Sequence, residues 1–262
     1  MFNREQAPIS AKAWEEIDER AEKVLKSYLS ARKVVKVNGP YGLSFNAISE
    51  GRLTDVEEAG ALCCGVYKVQ PLTEVKVEFE MDRCELNNID RGARDIDFEP
   101  LEEAAKNIAL FEENAVFNGL EKASIVGIKN SVKHDAIPFG KDQTAIMEAI
   151  SKGLITLRKS YQEGPYDLVV SDKVYTRIMA ADGEYPLDEK IEDLIGGKIV
   201  FNHVIDGAYL LPHDHDDLEF TIGQDFAIGY KCHTADKIKF FIKESFTFRV
   251  LDPTLIVKFN LD

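Results

Sequence analysis

Two rhythms of apolar and polar residues run through the chain, one helical and one of strand type. The clearest helical stretch is Glu99 to Gly119, where Leu101, Ala104, Ala105, Ile108, Phe111, Ala115 and Leu120 recur at three- and four-residue steps. They form a single apolar stripe. Glu102, Glu103, Lys106, Asn107, Glu112 and Glu113 fall on the opposite face, so the Glu112–Glu113 carboxylates are expected in solvent. Pro100 suits a first helical turn, where its missing N–H has no partner to lose. Asn118-Gly119 is expected to end the run through a left-handed glycine. No other stretch is as long, and this helix is the expected spine of the fold.

A second amphipathic helix is expected from about Ser10 to Leu29, with Ser10 as N-cap and Trp14, Ile17, Ala21, Val24, Leu25 and Tyr28 on its apolar side. That side either packs on its own domain or also borders a docking groove. Lys33–Val37 reads as a short strand, and Gly39-Pro40-Tyr41-Gly42 as a turn. Leu43–Met81 is extended. Val75, Val77, Phe79 and Met81 alternate with Lys76, Glu78 and Glu80, and strand-like Ala61–Val69 joins them through Gln70-Pro71-Leu72. Long strands with little helix nearby cannot build a core, so an arm is expected whose Val75–Met81 row a neighbouring subunit buries.

Farther on, helices are expected at Asp142–Tyr161, Lys173–Ala180 and Leu187–Ile195, the last stopped by Gly196-Gly197. Strands are expected at Tyr166–Val170, Lys198–Phe201, Ala208–Leu211 and Leu218–Ile222, then at Phe226–Tyr230, Ile238–Val250 and Leu255–Phe259. In the longest of these, Phe240, Ile242, Phe246, Phe248 and Val250 mark one half-buried face, interrupted by Glu244. Helices and strands mix without regular βαβ alternation, which indicates an α+β fold in two lobes.

A chain of 262 residues, 45% of them hydrophobic, can bury one large core or two modest ones. Its net charge of −14 lacks the basic footprint of a nucleic-acid binder and suits a self-repelling surface or an attraction for cations. Met1–Gln6 is polar, and no run approaches the roughly 18 apolar residues of a membrane span. A cytoplasmic protein with no nucleic-acid or membrane partner is therefore expected. Cys63, Cys64, Cys84 and Cys232 show neither zinc-ligand nor disulfide-framework spacing, and buried or idle thiols are expected.

Catalytic motifs are missing: there is no dinucleotide-binding or phosphate-binding glycine loop and no Gly-x-Ser-x-Gly elbow. The expectation is a protein that is not an enzyme. One polar constellation stands out, His213-Asp214-His215-Asp216-Asp217. His213 and His215 are candidate metal ligands, and an acidic turn between two strands explains them equally well.

Several motifs together resemble the encapsulins, shell proteins once grouped with linocin-type bacteriocins. They include Trp14-x-x-Ile17-Asp18, Gly39-Pro40-Tyr41-Gly42, Glu85-Leu86-Asn87-Asn88-Ile89-Asp90-Arg91-Gly92 and Phe111-Glu112 to Gly119. They continue with Glu163-Gly164-Pro165-Tyr166, Tyr185-Pro186-Leu187 and Gly196-Gly197-Lys198-Ile199, then Gly223-Gln224-Asp225-x-x-Ile228-Gly229-Tyr230 and Phe246-Thr247-Phe248 before Pro253. Each is weak alone, but in this order and spacing they are specific.

The resemblance implies the tailed-phage (Hong Kong type) major capsid fold. Residues 1–42 would hold the N-terminal helix, 43–82 an extended loop, 83–140 the peripheral domain with the spine, 141–222 the axial domain and 223–262 the last peripheral strands. Encapsulins of this length are similar in building closed icosahedral shells of about sixty copies. They enclose cargo, a ferritin-like iron oxidase or a dye-decolorising peroxidase, captured by a tail at the cargo's C-terminus, for iron storage or oxidative-stress protection. The cargo groove would comprise Leu25, Arg32, Lys36, Ile228, Gly229 and Tyr230, with Lys36 replacing a carboxylate of some relatives. Asp182, Gly183, Glu184 and Tyr185 match the loop around a fivefold opening. Flavin-binding relatives have a stacking tryptophan where this chain has Cys84, which offers no ring, so no cofactor is expected. A phage or prophage major capsid protein would share the fold. A linocin-type bacteriocin is the other alternative, disfavoured by the missing signal segment and nucleophile–base pair.

Overall fold

Capping chemistry sets the ends of the principal helices. In the computed structural model, which describes residues 2–181 and 185–261 except for the side chain of Ala59, Ser10 accepts a hydrogen bond from the Ala13 N–H at 3.1 Å and caps α1 (Ala11–Tyr28). A single 3-10 turn at Ala31–Lys33 delays β1 to Val35–Asn38. Then follow β2 (Ala47–Ala59), β3 (Leu62–Pro71) and β4 (Thr73–Asp82). Asp82 caps α2 (Arg83–Arg91), accepting from Cys84 N–H at 2.7 Å. The spine α3 (Glu99–Asn118) carries Pro100 in its first turn. Gly119 ends it at φ 91° and ψ 163°, outside the left-handed helical region and in one that essentially only glycine occupies. A Cβ there would also lie 2.4 Å from the Val126 carbonyl oxygen.

The second half comprises α4 (Ile128–Ser131), β5 (Ile137–Pro138), α5 (Gln143–Lys159), β6 (Tyr166–Val170), α6 (Asp172–Met179), α7 (Leu187–Ile195) and β7 (Ile199–Phe201). It ends with β8 (Ala208–Pro212), β9 (His215–Ile222), β10 (Ala227–His233), β11 (Lys237–Val250) and β12 (Val257–Asn260). One sheet has the order β1-β9-β11-β10, with β4 also paired to β11; a second has the order β5-β12-β8-β6-β7; β2 and β3 form a separate ribbon. These sheets do not follow the sequence division. β9 pairs with β1 and β11 in the first sheet, and β12 crosses to the second, beside β8. Helices α5, α6 and α7 cover the second sheet, while α1 and the first half of α3 pack on the first.

The arm is shorter than expected, and its apolar row is a different one. β4 runs antiparallel along β11 from Thr73 opposite Phe246 to Asp82 opposite Lys237. Phe79 stacks on Phe240 at 5.4 Å between ring centroids, and Trp14 meets Phe240 edge-on at 5.3 Å. Phe79 and Met81 are buried by their own chain, with Val75 and Val77 partly buried in the same core. No neighbouring subunit is needed to cover them.

The ribbon is what lacks a partner. Leu53 sits directly opposite Tyr67, so their side chains share one face, as does Val69 two residues along. Tyr67 is 72% exposed, and Leu53, Val56, Leu62, Val66 and Val69 are exposed as well. Bulges between Ser49 and Leu53 and between Thr54 and Glu57 twist the ribbon. All four cysteines are free and exposed, which removes the buried alternative from the expectation of buried or idle thiols. Among the described residues no helix is long and apolar enough to cross a membrane.

A two-stranded ribbon with apolar faces is marginal in water, and a second copy of the chain is the expected cover. Replacing Tyr67 and Val69 by Asp should leave the thermal unfolding of the subunit nearly unchanged and abolish assembly in sedimentation. Intact particles from the double variant would contradict this.

Candidate functional site

The turn after α1 brings Arg32 into the interior, where three segments offer it carboxylates. Its Nε lies 2.9 and 3.1 Å from the two oxygens of Glu112 on α3, and Nη2 lies 2.5 Å from Glu112 Oε2. Nη2 also donates to Glu244 Oε2 on β11 at 3.1 Å, and Nη1 to Asp225 Oδ1 ahead of β10 at 2.8 Å. The rings of Phe226 and Phe220 lie 4.7 and 5.3 Å from the guanidinium carbon, within range of cation–π attraction.

Glu112, Glu113 and Glu244 are fully buried, which overturns the expectation of a solvated Glu112–Glu113 pair. Near its end α3 is packed on several sides, so even its polar face is inside. Glu113 accepts from the backbone N–H groups of Ser30 and Ala31 at 2.9 Å each, from Ser30 Oγ at 2.5 Å and from Asn202 Nδ2 at 2.7 Å. It thereby fixes the same turn that presents Arg32.

Burial alone would lower the Arg32 pKa, but attraction and hydrogen bonding to Glu112, then Glu244 and Asp225, hold it above its ordinary value. Burial, followed by the nearby Glu112 charge, pushes Glu244 well above the usual carboxylate range, only partly opposed by Arg32. Its Oε1 has no hydrogen-bond partner among the described residues. Burial raises Glu113 to about 7 against the pull of its donors.

The expected groove residues separate into two groups. Leu25, Ile228 and Tyr230 share one apolar cluster between α1 and the first sheet. Gly229 lies beneath the ring of Phe241, and a Cβ there would come within 2.2 Å of that ring. Arg32 is already engaged by three carboxylates of its own chain. Lys36 is not brought to the groove: β9 and β10 lie end to end along one side of β11, and Lys36 sits beside Glu219, opposite Arg249, whereas Ile228 sits opposite Ile242, about 23 Å along the strand at the usual rise. Lys36 pairs instead with Asp214 at 3.2 Å and Asp216 at 3.8 Å.

His213 and His215 do not converge. His213 Nδ1 lies 2.6 Å from Asp167 Oδ2, and His215 Nδ1 accepts from the Asp217 N–H at 3.1 Å. Among the described residues no group of three or more His, Cys, Asp or Glu is placed to hold a metal ion. Asp182, Gly183 and Glu184 lie outside the described residues, while Tyr185 is exposed beside α7, where a hydrogen bond to Glu189 raises its pKa. Glu244 and Asp225 were not anticipated as partners of Arg32. The available signal was an acid within the inward row Phe240, Ile242, Phe246 and Phe248.

The family described as encapsulating protein for peroxidase (Linocin_M18) matches residues 1–247. A type 1 encapsulin shell protein of Rhodospirillum rubrum is 38% identical over 263 residues, covering 97% of this chain and 94% of its own length. A virus-like particle from Pyrococcus furiosus superposes with a TM-score of 0.67 at 16% identity, covering 93% of this chain and 97% of that one. The capsid of Myoviridae phage XM1 gives 0.56 at 12% identity, covering 85% and 88%. These likenesses establish the tailed-phage capsid fold.

Truncating Arg32 to Ala would strand buried carboxylates, a change that costs about 3–5 kcal/mol, so unfolding experiments should show a large loss. Glu244→Gln, which imitates a protonated acid, should cost less than about 1.5 kcal/mol. Because Glu113 titrates higher when folded, its contribution is fully present below pH ~4.5 and is lost as pH rises through about 7. Stability measured at pH 5 and pH 8 should therefore fall across that interval, and fall less in Glu113→Gln. Equal losses for Arg32→Ala and Glu244→Gln would contradict the hub.

Proposed function

We propose that this chain, which belongs to the encapsulin shell proteins, assembles into a closed shell of about sixty copies and takes in a cargo enzyme by an extended tail of that cargo. The subunit's own part is structural, not catalytic. The observation that carries the reading is the pairing of a capsid-type subunit with an apolar ribbon that its own chain leaves uncovered. A closed point-group assembly lets every ribbon find a neighbour.

The cargo we propose is a peroxidase, in keeping with the family's description, or a ferritin-like iron oxidase. Its tail would lie between α1 and β10, against Leu25, Ile228 and Tyr230. Arg32 does not take the role of orienting the tail by a charged hydrogen bond, because its donors serve the hub. Recognition rests on apolar contact and on backbone pairing with β10. We place the assembled shell in the cytoplasm. A flavin does not fit the surface at Cys84: the thiol is exposed in the first turn of α2 and presents no aromatic face for stacking.

Ile228 is only 6% exposed, so an acidic side chain there would bury a charge; Ile228→Ala trims the contact without adding one. Shells of this variant, co-expressed with the native cargo, should form and carry much less cargo by electron microscopy and gel densitometry. Full loading of the variant would show that the cargo docks elsewhere.

A further inference from the structure

Among the described residues, the segment before α1 does something the shell does not need for its core: it wraps the free edge of a sheet. β10 is the outermost strand on its side of the first sheet. The Phe2 carbonyl oxygen accepts from the Tyr230 N–H on that edge at 2.8 Å. On the core side, Ala7 and Ile9 pack partly buried against the α1 cluster. Arg4 lies over the Trp14 ring at 4.0 Å and pairs with Asp18 at 2.5 Å. On the other side of the sheet, the Phe2 ring stacks on Phe241 at 6.1 Å between centroids. The segment thus passes from one face of the sheet to the other around β10.

Register fixes which backbone groups it competes for. In an antiparallel pair, residues alternate between exchanging hydrogen bonds with the partner strand and turning their N–H and C=O outward. Tyr230 turns outward to Phe2, so Ile228, two residues earlier in the unbroken part of the β10–β11 register, turns outward to the same edge. Ile228 and Tyr230 also point their side chains into the apolar cluster with Leu25. An extended peptide pairing with this edge would therefore find backbone donors and acceptors beside the rim of that nearly buried cluster, the pattern of strand addition. The bond from Phe2 occupies the same row.

We propose that residues 2–9 form a strap over the β10 edge, and that an extended cargo tail docks as an added strand by replacing Phe2 on Tyr230. This rests on the reading of the α1–β10 cleft as the cargo site. Only one hydrogen bond and one ring stack hold the strap at the β10 edge, while Arg4, Ala7 and Ile9 anchor it to α1 and its core, so its Phe2 end is suited to opening while the shell stays closed. It would disfavour weakly matching peptides and leave the edge covered in an empty shell, where a bare strand edge invites unwanted pairing.

The test uses assembled shells and a fluorescently labelled synthetic copy of the C-terminal segment of whichever protein co-purifies with them. Phe2→Ala removes the ring stack that anchors the strap, and should tighten peptide binding by roughly three- to tenfold, the scale of one aromatic pair. Ile228→Pro removes an outward N–H at an edge, where proline is tolerated, and should weaken binding by more than about tenfold. If that variant fails to assemble, peptides N-methylated at alternate backbone positions make the same test on unaltered shells and should lose binding. Unchanged or weaker binding to Phe2→Ala, with Ile228→Ala still weakening it, overturns the strap and leaves the cleft standing. Full binding of the N-methylated peptides overturns strand addition. Binding unchanged in Ile228→Ala overturns the cleft itself.

Discussion

One buried guanidinium holds the peripheral half of this subunit in register. Arg32 reaches Glu112 on α3, Glu244 on β11 and Asp225 ahead of β10, so four separate parts of the chain meet at one cation. Charges in a dry interior are tolerated only when paired and hydrogen-bonded, so each segment must arrive in the right position for any of them to be accommodated. The cluster holds more carboxylates than cations, and burial raises the pKa of Glu244 and Glu113. Glu113, one residue along α3, ties down the Ser30–Ala31 backbone that presents Arg32. The hub thus decides how α1 lies across β10, and with it the shape of the cleft between them.

That constraint also divides labour between charge and apolar surface. Polar groups near the cleft are consumed in holding the fold, and what remains toward a visitor is the β10 edge beside the nearly buried Leu25, Ile228 and Tyr230. The same division holds at the ribbon, where the surface left over after folding is apolar. In the proposed shell a subunit is completed twice, once by neighbours that cover β2 and β3 and once by a tail that pairs with β10. The Phe241 ring, lying over Gly229 and against Phe2, fastens the segment before α1 to the face of β10 opposite the cleft.

Local rules were legible where local chemistry decides. Ser10 and Asp142 cap helices as their side chains predict, and the stripe of α3 is buried where the period places it. Tertiary partners were not legible. Helical periodicity puts Glu112 and Glu113 on a polar face, but it cannot see Arg32 arriving from 80 residues away in sequence. The alternation of Val75 to Met81 marked the correct buried face, while the strand that buries it, β11, lies far along the chain. Lys36 was grouped with Ile228 through family likeness, and the register places them far apart along β11, beside Arg249 and Ile242 respectively. For Asp225 and Glu244, only the acid set into an apolar row hinted at a buried ion.

The central claim is that the shell recognises a cargo tail by apolar contact and backbone pairing because its nearby charges are already spent on the fold. The most direct measurement is the affinity of intact shells for the labelled tail of the co-purifying cargo across ionic strength. Screening shortens from about 30 Å at 0.01 M salt to about 3 Å at 1 M. The account predicts an affinity that changes by less than about twofold over that range, as expected when no exposed charge pair carries the binding. A loss of more than about tenfold would show that free charges read the tail and would contradict the account.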